Sequence, residues 1–304
     1  MGWMGVTAAI PDEWSPTQLS GDRSRGHFRV VGPRGHQLDV RWEQTPTSLT
    51  VEKALDRYLA ELGKLARRRK LSLTVKRRVR ALEGSRRDPS LQTYTWQADQ
   101  TAVGAAWRCD VCGRLVIAEV VGDPATLELP ARALIAGVTD HPEGGWTVWA
   151  LYGLVAPAPD SFRLERQSLM TGHQQFTLSN GAERILVDRW GLADLVLRST
   201  TLPDWFRDRE RTRLAPFRAR TTPAEHCGHP AFRWDGELPL AGRLSRGVRA
   251  LTRLQQPMTR FSGLLWHCPN SNRIYAVFGE HRGNASNVFD VADRMRCHPQ
   301  GAVA

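Results

Sequence analysis

The stretch Trp266-His267-Cys268-Pro269-Asn270-Ser271-Asn272-Arg273-Ile274-Tyr275 has a counterpart 159 positions earlier in Trp107-Arg108-Cys109-Asp110-Val111-Cys112-Gly113-Arg114-Leu115-Val116. Each copy leads into an apolar helical pattern and then a four-residue signature, His141-Pro142-Glu143-Gly144 in the first and His298-Pro299-Gln300-Gly301 in the second. A chain that repeats a strand, a helix and a stop in this order is constrained to use one folding unit twice. Its 304 residues suit two domains of about 150 each better than one core. The expected fold class is α+β, with two tandem homologous domains, 1–145 and 146–304, each a mostly antiparallel sheet flanked by helices. The division falls in the cluster Gly144-Gly145-Trp146.

The order of patterns agrees with a repeat. Gly5 to Ile10 reads as a strand stopped by Pro11-Asp12-Glu13-Trp14. Alternation over Gly26 to Val30 and Gln37 to Trp42, split by Gly32-Pro33-Arg34-Gly35, predicts a hairpin with one buried face. Val51, Ala54, Leu55, Tyr58, Leu59 and Leu62 fall on one helical stripe, with Ser48 and Thr50 as candidate caps. Strands follow at Leu71 to Val75, Gln92 to Trp96 and Leu115 to Val121. The stripe Ala131, Leu134, Ile135 and Val138 gives a closing helix that stops at His141-Pro142. In the second half Gly153 to Pro157 answers the first strand, Gly172-His173 answers Gly26-His27, and Arg189-Trp190 answers Arg41-Trp42. Thr201-Leu202-Pro203 reads as a capped helix start.

Three features in this order, Pro11 to Trp14, the helix from Val51 to Leu62, and Arg114 to Val121 leading into Ala131 to Val138, resemble the PsbP-like α/β sandwich. The resemblance covers each half in outline. It implies an antiparallel sheet flanked by helices, in a family made mostly of binding and assembly factors rather than enzymes.

Cysteine and histidine placement supplies the chemical candidates. Five cysteines, unevenly spaced, fit reduced thiols or metal ligands better than a disulfide framework. Cys109-x-x-Cys112-Gly113 has zinc-knuckle spacing, completed in the same half by His141, His27 or His36; the competing reading is a turn with ordinary thiols. In the second half Cys227, His229, Cys268 and His298 are the expected ligand set, since thiolate with imidazole favours zinc. The competing reading makes Cys268 a small core residue and His298 a helix cap. A nucleophilic pair of Cys268 with His298 lacks a third, orienting residue, and no phosphate loop, paired-carboxylate pattern or His-Glu-x-x-His motif occurs. No catalytic residue is assigned.

Net charge is +11, and its distribution is the stronger clue to a partner. Between Lys64 and Arg87 eleven Lys or Arg face a single acid, Glu83. Arg67, Arg68, Arg69, Lys70, Lys76, Arg77, Arg78 and Arg80 lie in this stretch, and Arg246, Arg249 and Arg253 would add a second stripe. Such a face attracts an acidic protein or multi-protein complex, attracts nucleic acid with Tyr94 and Trp96 nearby, or is simply a solvated surface. No apolar run reaches the 18 residues of a membrane span, and Met1 to Val6 lacks the form of a signal peptide. The expectation is a cytoplasmic, non-enzymatic binding or assembly factor with no membrane partner. The alternative is a nucleic-acid-binding protein, with zinc as the cofactor the thiols would take.

Overall fold

Strand outweighs helix, 47% to 21%, so sheets set the frame on which the few helices pack. The computed structural model describes residues 1–82, 90–239, 257–283 and 286–298. Pairing is antiparallel throughout the registers described, in two seven-stranded sheets and one smaller sheet. The chain divides into two compact units, Met1–Val155 and Ala156–Ala304, where the sequence pattern places the boundary at 145/146.

In the first unit the elements are β1 (Gly2–Trp3), β2 (Val6–Ala8), β3 (Ser15–Gly21), β4 (Arg25–Val31), β5 (Gln37–Gln44), α1 (Val51–Arg68), β6 (Thr74–Arg77), β7 (Gln92–Gln97), β8 (Thr101–Arg108), β9 (Arg114–Gly122), α2 (Glu128–Ala136), β10 (Val138–Thr139) and β11 (Trp146–Leu151). The large sheet runs β3-β4-β5-β9-β8-β7-β6. Its centre, β9 against β5 and β8, is the most apolar run of the half, buried on both faces. Helix α1 starts where Thr50 accepts the Lys53 amide at 3.3 Å, and it lays Val51, Ala54, Leu55 and Leu59 on Ala102, Ala106, Leu115, Ile117 and Val121. Alternation sends Val116, Ala118 and Val120 to the other face; α2 packs on β8 and β9 with Ala131, Leu134 and Ile135 buried. β1, β2, β10 and β11 belong to the small five-stranded sheet, and β12 (Leu154–Pro159) carries the chain across the division.

The second unit contains β13 (Arg163–Met170), β14 (His173–Ser179), β15 (Glu183–Gly191), α3 (Ala193–Val196), α4 (Leu202–Arg209), α5 (Arg211–Leu214), β16 (Arg220–His226), β17 (His229–Glu237), β18 (Arg260–Cys268), β19 (Arg273–His281) and α6 (Val288–Asp293). Its sheet runs β13-β14-β15-β19-β18-β17-β16, the same connection order as in the first unit. Short helices replace α1. Thr201 caps α4 by accepting the Asp204 amide at 3.3 Å, with Pro203 in the first turn, as the sequence predicts. Phe206 of α4 sits on Trp234 and Phe278 in a core of aromatic rings.

One expectation is extended and three change. The strand expected over Gly5 to Ile10 is present as β2, and it is joined to the unforeseen β1 in a tight hairpin turned by Met4 and Gly5 at positive φ. Leu71 to Val75 contributes only Thr74 and Val75 to β6, an edge strand exposed along its length. Neither His141 nor His298 ends a helix: α2 stops at Ala136 and α6 at Asp293, leaving both histidines in bends of the tails beyond; Pro299, Gln300 and Gly301 lie outside the described residues. Arg41-Trp42 and Arg189-Trp190 are not counterparts. Trp107 opposes Val116 and Trp266 opposes Tyr275, yet Val116 goes on to oppose Trp42 while Tyr275 opposes Arg189. The one-residue slip puts the two rings on opposite sheet faces. Trp190 joins the helix-side core with Phe206, whereas Arg41, not Trp42, reaches over Tyr58 of α1.

Candidate metal centres and basic face

The β8-β9 turn is a tight knuckle. The Gly113 amide donates to the Cys109 carbonyl and the Cys109 amide to the Arg114 carbonyl, both at 2.9 Å, with Gly113 at φ +70. That curl turns the Cys112 amide onto the Cys109 sulfur at 3.4 Å, an arrangement that suits a thiolate. The segment after β10 then delivers two more donors. His141 Nδ1 lies 3.2 Å from Cys109 Sγ, Asp140 Oδ1 lies 2.9 Å from His141 Nδ1, and all four donor atoms fall within 4.8 Å of one another. Trp107 of the knuckle strand donates its indole N–H to the other Asp140 oxygen, and Arg114 donates to the Asp140 carbonyl at 3.1 Å. Burial pushes the Cys109 thiol up to about 12, so the neutral thiol is favoured until a cation compensates.

In the second unit the same hairpin position carries Cys268, and Asn272 takes the left-handed turn position at φ 50 that Gly113 holds in the first. Around Cys268 gather His229 from the β16-β17 turn and Cys297 and His298 from the tail after α6, their donor atoms again within 4.8 Å of one another. His298 Nδ1 lies 3.3 Å from Cys268 Sγ, 3.2 Å from Cys297 Sγ and 3.3 Å from His229 Nε2. Tyr275, stacked on Trp266, holds the tail by donating its hydroxyl to the Cys297 carbonyl at 3.1 Å. Burial and the neighbouring Cys268 push the Cys297 thiol up to about 12, against a partial offset from the Trp266 indole N–H. Burial, with His298 and His267 close by, holds His229 below its ordinary value.

Of the set expected from sequence, His229, Cys268 and His298 meet and Cys227 does not join them. Cys227 occupies a left-handed turn position at φ 52, and its sulfur faces the Met295 carbonyl at 3.6 Å. Its place is taken by Cys297. In the first unit, of the three histidines named as completing Cys109 and Cys112, His141 arrives; His27 is bonded to Asp39 at 2.6 Å and His36 to Thr126 at 3.2 Å. Asp140 was missed. Its signal was its position, directly before His141 as Cys297 directly precedes His298.

The basic residues gather at the C-terminal end of α1 and on β6. Arg67, Arg68, Arg69, Lys70, Lys76, Arg77, Arg78 and Arg80 are all exposed. Arg77 pairs with Asp56 and Lys64 with Glu61, while Arg67, Arg69, Lys70, Lys76, Arg78 and Arg80 have no ion pair among the described residues. Arg246, Arg249 and Arg253 lie outside the described residues, as do Glu83, Arg86 and Arg87. Tyr94 and Trp96 belong to the core rather than this face: Tyr94 is fully buried, and both donate to the buried carboxylate of Glu119.

No protein-family model matches the chain, and neither a curated protein nor a solved structure matches it. Among the described residues no helix is long and apolar enough to cross a membrane.

Proposed function

We propose that this chain is a non-enzymatic binding or assembly factor built from a duplicated α+β domain, and that the α1-β6 face of its first domain engages an acidic protein partner in the cytoplasm. The identical strand order of the two large sheets supports the duplication, and the resemblance of the motif order to PsbP-like sandwiches points the same way.

The observation that carries the binding reading is the cluster of six cations with no ion pair among the described residues, all exposed, on one short stretch from Arg67 to Arg80. Charges left without partners repel one another, and a complementary acidic surface relieves that repulsion while steering association. Nucleic acid is the alternative occupant. Binding of unpaired strands draws on exposed aromatic platforms, and burial of Tyr94 and Trp96 removes the two rings the sequence offered for that purpose. The balance therefore moves toward protein.

The test is a salt titration of the full chain against poly-glutamate, duplex DNA and single-stranded RNA, repeated with Lys76→Glu/Arg78→Glu/Arg80→Glu. Preferential binding of poly-glutamate that the triple variant abolishes supports the reading. Tighter binding of either nucleic acid, with a slope of several counterions released, overturns it in favour of the alternative.

A further inference from the structure

We propose that the chain binds two zinc ions, one held by Cys109, Cys112, Asp140 and His141 and the other by His229, Cys268, Cys297 and His298. The ion acts in each unit as a staple between the β8-β9 or β18-β19 turn and the tail that follows the closing helix.

Geometry is the first argument. A tetrahedral zinc site with Zn–S near 2.3 Å and Zn–N near 2.0–2.1 Å has edges of about 3.3–3.8 Å between donor atoms. The sulfur-to-nitrogen and nitrogen-to-nitrogen separations around His298 are 3.2–3.3 Å, and the Cys109 to His141 separation is 3.2 Å. Donors so close, with lone pairs facing a common centre, repel one another unless a proton or a cation sits between them. Two thiols and two imidazoles, or two thiols, an imidazole and a carboxylate, select zinc over the hard cations that prefer oxygen alone. Four protein ligands leave no open position for a substrate, which makes each site structural.

The second argument comes from comparing the two centres within one chain. Three corners occupy matching places: Cys109 and Cys268 at the strand end, Asp140 and Cys297, then His141 and His298 in the tail. The fourth corner does not match. Where the first turn supplies Cys112, the second has Ser271, and a different hairpin turn brings in His229. Scaffold cysteines need no such replacement; a four-coordinate ion does. Each tail is also held from the hairpin side, by the Trp107 indole N–H on Asp140 in the first unit and by the Tyr275 hydroxyl on the Cys297 carbonyl at 3.1 Å in the second, orienting groups of the kind that position metal ligands.

Elemental analysis of the full chain purified without chelator is expected to find two zinc ions per chain. Cys109→Ser/Cys112→Ser and Cys268→Ser/His298→Ala should each retain one, while Cys227→Ala should retain two. Fewer than two in the wild type, a count unmoved by both double variants, or a Cys268–Cys297 disulfide in the native protein overturns the proposal. Because a variant that loses its staple can fail to fold, the wild-type chain loaded with Co²⁺ gives an independent reading. Intense tetrahedral d–d bands with thiolate charge-transfer absorption support both centres. Weak octahedral bands without charge transfer refute them.

Discussion

Beneath the helices, the two units fill one layer of the same sheet frame with opposite chemistry. In the first unit Glu119 of β9 is fully buried and accepts from Tyr58 of α1 at 2.6 Å, Tyr94 at 2.9 Å and Trp96 at 3.0 Å. Matching hairpin registers put Phe278 at the place of Glu119 and Trp234 at that of Tyr94, while Gly236, opposite Phe261, stands at the place of Trp96. A carboxylate with three donors becomes a cluster of rings, with Phe206 of α4 against Phe278 at 5.2 Å between centroids. Glycine allows both versions on β8 and β18, the strands beside the central one. A Cβ on Gly104 would lie 2.4 Å from the Tyr94 ring, and one on Gly263 would lie 3.0 Å from Phe278. The frame tolerates a polar or an apolar filling, provided each is complete: a buried charge needs every donor, a ring needs only volume.

The largest effect should come from mixing the two fillings. Phe278→Glu would bury a carboxylate in a ring layer that lacks the three convergent donors of Glu119, with only the Arg213 guanidinium, 5.2 Å from the Phe278 ring centroid, and the Trp234 indole N–H nearby, and it should cost at least about 4 kcal/mol, enough to unfold the second unit. Urea unfolding followed by near-ultraviolet dichroism reads this directly, and a loss under about 1 kcal/mol would show that Arg213 and Trp234 suffice to hold the charge. Glu119→Leu is the reverse mixture. It strands two phenols and an indole N–H, and with each counted at about 1 kcal/mol, the low end for an unsatisfied buried donor, it should cost about 3 kcal/mol in total. A near-neutral result would mean that water reaches the site.

A smaller, pH-dependent effect distinguishes Glu119 from its neighbour Asp39 on β5. Burial raises Glu119 above its ordinary 4.5, the three hydrogen bonds offsetting it only in part. For Asp39 burial also raises the pKa, but the bonds from His27 and Arg29 outweigh it and leave the group below its ordinary 3.8. The signs are opposite. The folded state holds the Glu119 proton more tightly than the unfolded chain, so stability falls as pH rises from about 4.5 through the raised value. Asp39 contributes stability that is present above about 3.8 and is lost as pH falls through its depressed value. Unfolding free energy measured from pH 3 to 8 should flatten on its alkaline side in Glu119→Gln and on its acid side in Asp39→Asn. Parallel curves for both variants would remove the distinction.

How far these differences could be read from sequence depends on the range of the interaction that sets them. Helix α1 was legible because Val51, Ala54, Leu55 and Leu59 declare a stripe with a period that no strand shares, and the Thr201 cap was legible because capping spans three residues. The pairing of Arg41-Trp42 with Arg189-Trp190 was misread because a motif carries no register: one residue of slip leaves the letters alike and exchanges the faces. His141 and His298 resembled helix stops because proline follows both, whereas their roles are set by what the tails meet across the fold. Cys227 stands two positions before His229, a spacing at which strand alternation would send both side chains the same way, yet a left-handed turn residue does not obey strand alternation, and the tail supplies Cys297 instead. The polar layer around Glu119 could not be foreseen at all, since it needs contributions from α1, β7 and β9 at once.

The smallest contrast lies in the two helix caps, and it is the sharpest test of the comparison because the chemistry is held constant. Thr50 and Thr201 each accept an amide three residues on at 3.3 Å, so each should lose about 1 kcal/mol on replacement by alanine. Thr201 does more: its hydroxyl donates to the Asp204 carboxylate at 2.6 Å, holding that negative charge over the start of α4 and keeping its pKa low. Thr50 has no such partner, because its third residue on is Lys53. Thr201→Ala should therefore cost more than Thr50→Ala in low salt, and the excess should shrink as salt screens the carboxylate from the helix terminus. Equal losses at every salt concentration would show that Asp204, exposed as it is, adds nothing beyond the amide bond, and that short α4 and long α1 begin on identical terms.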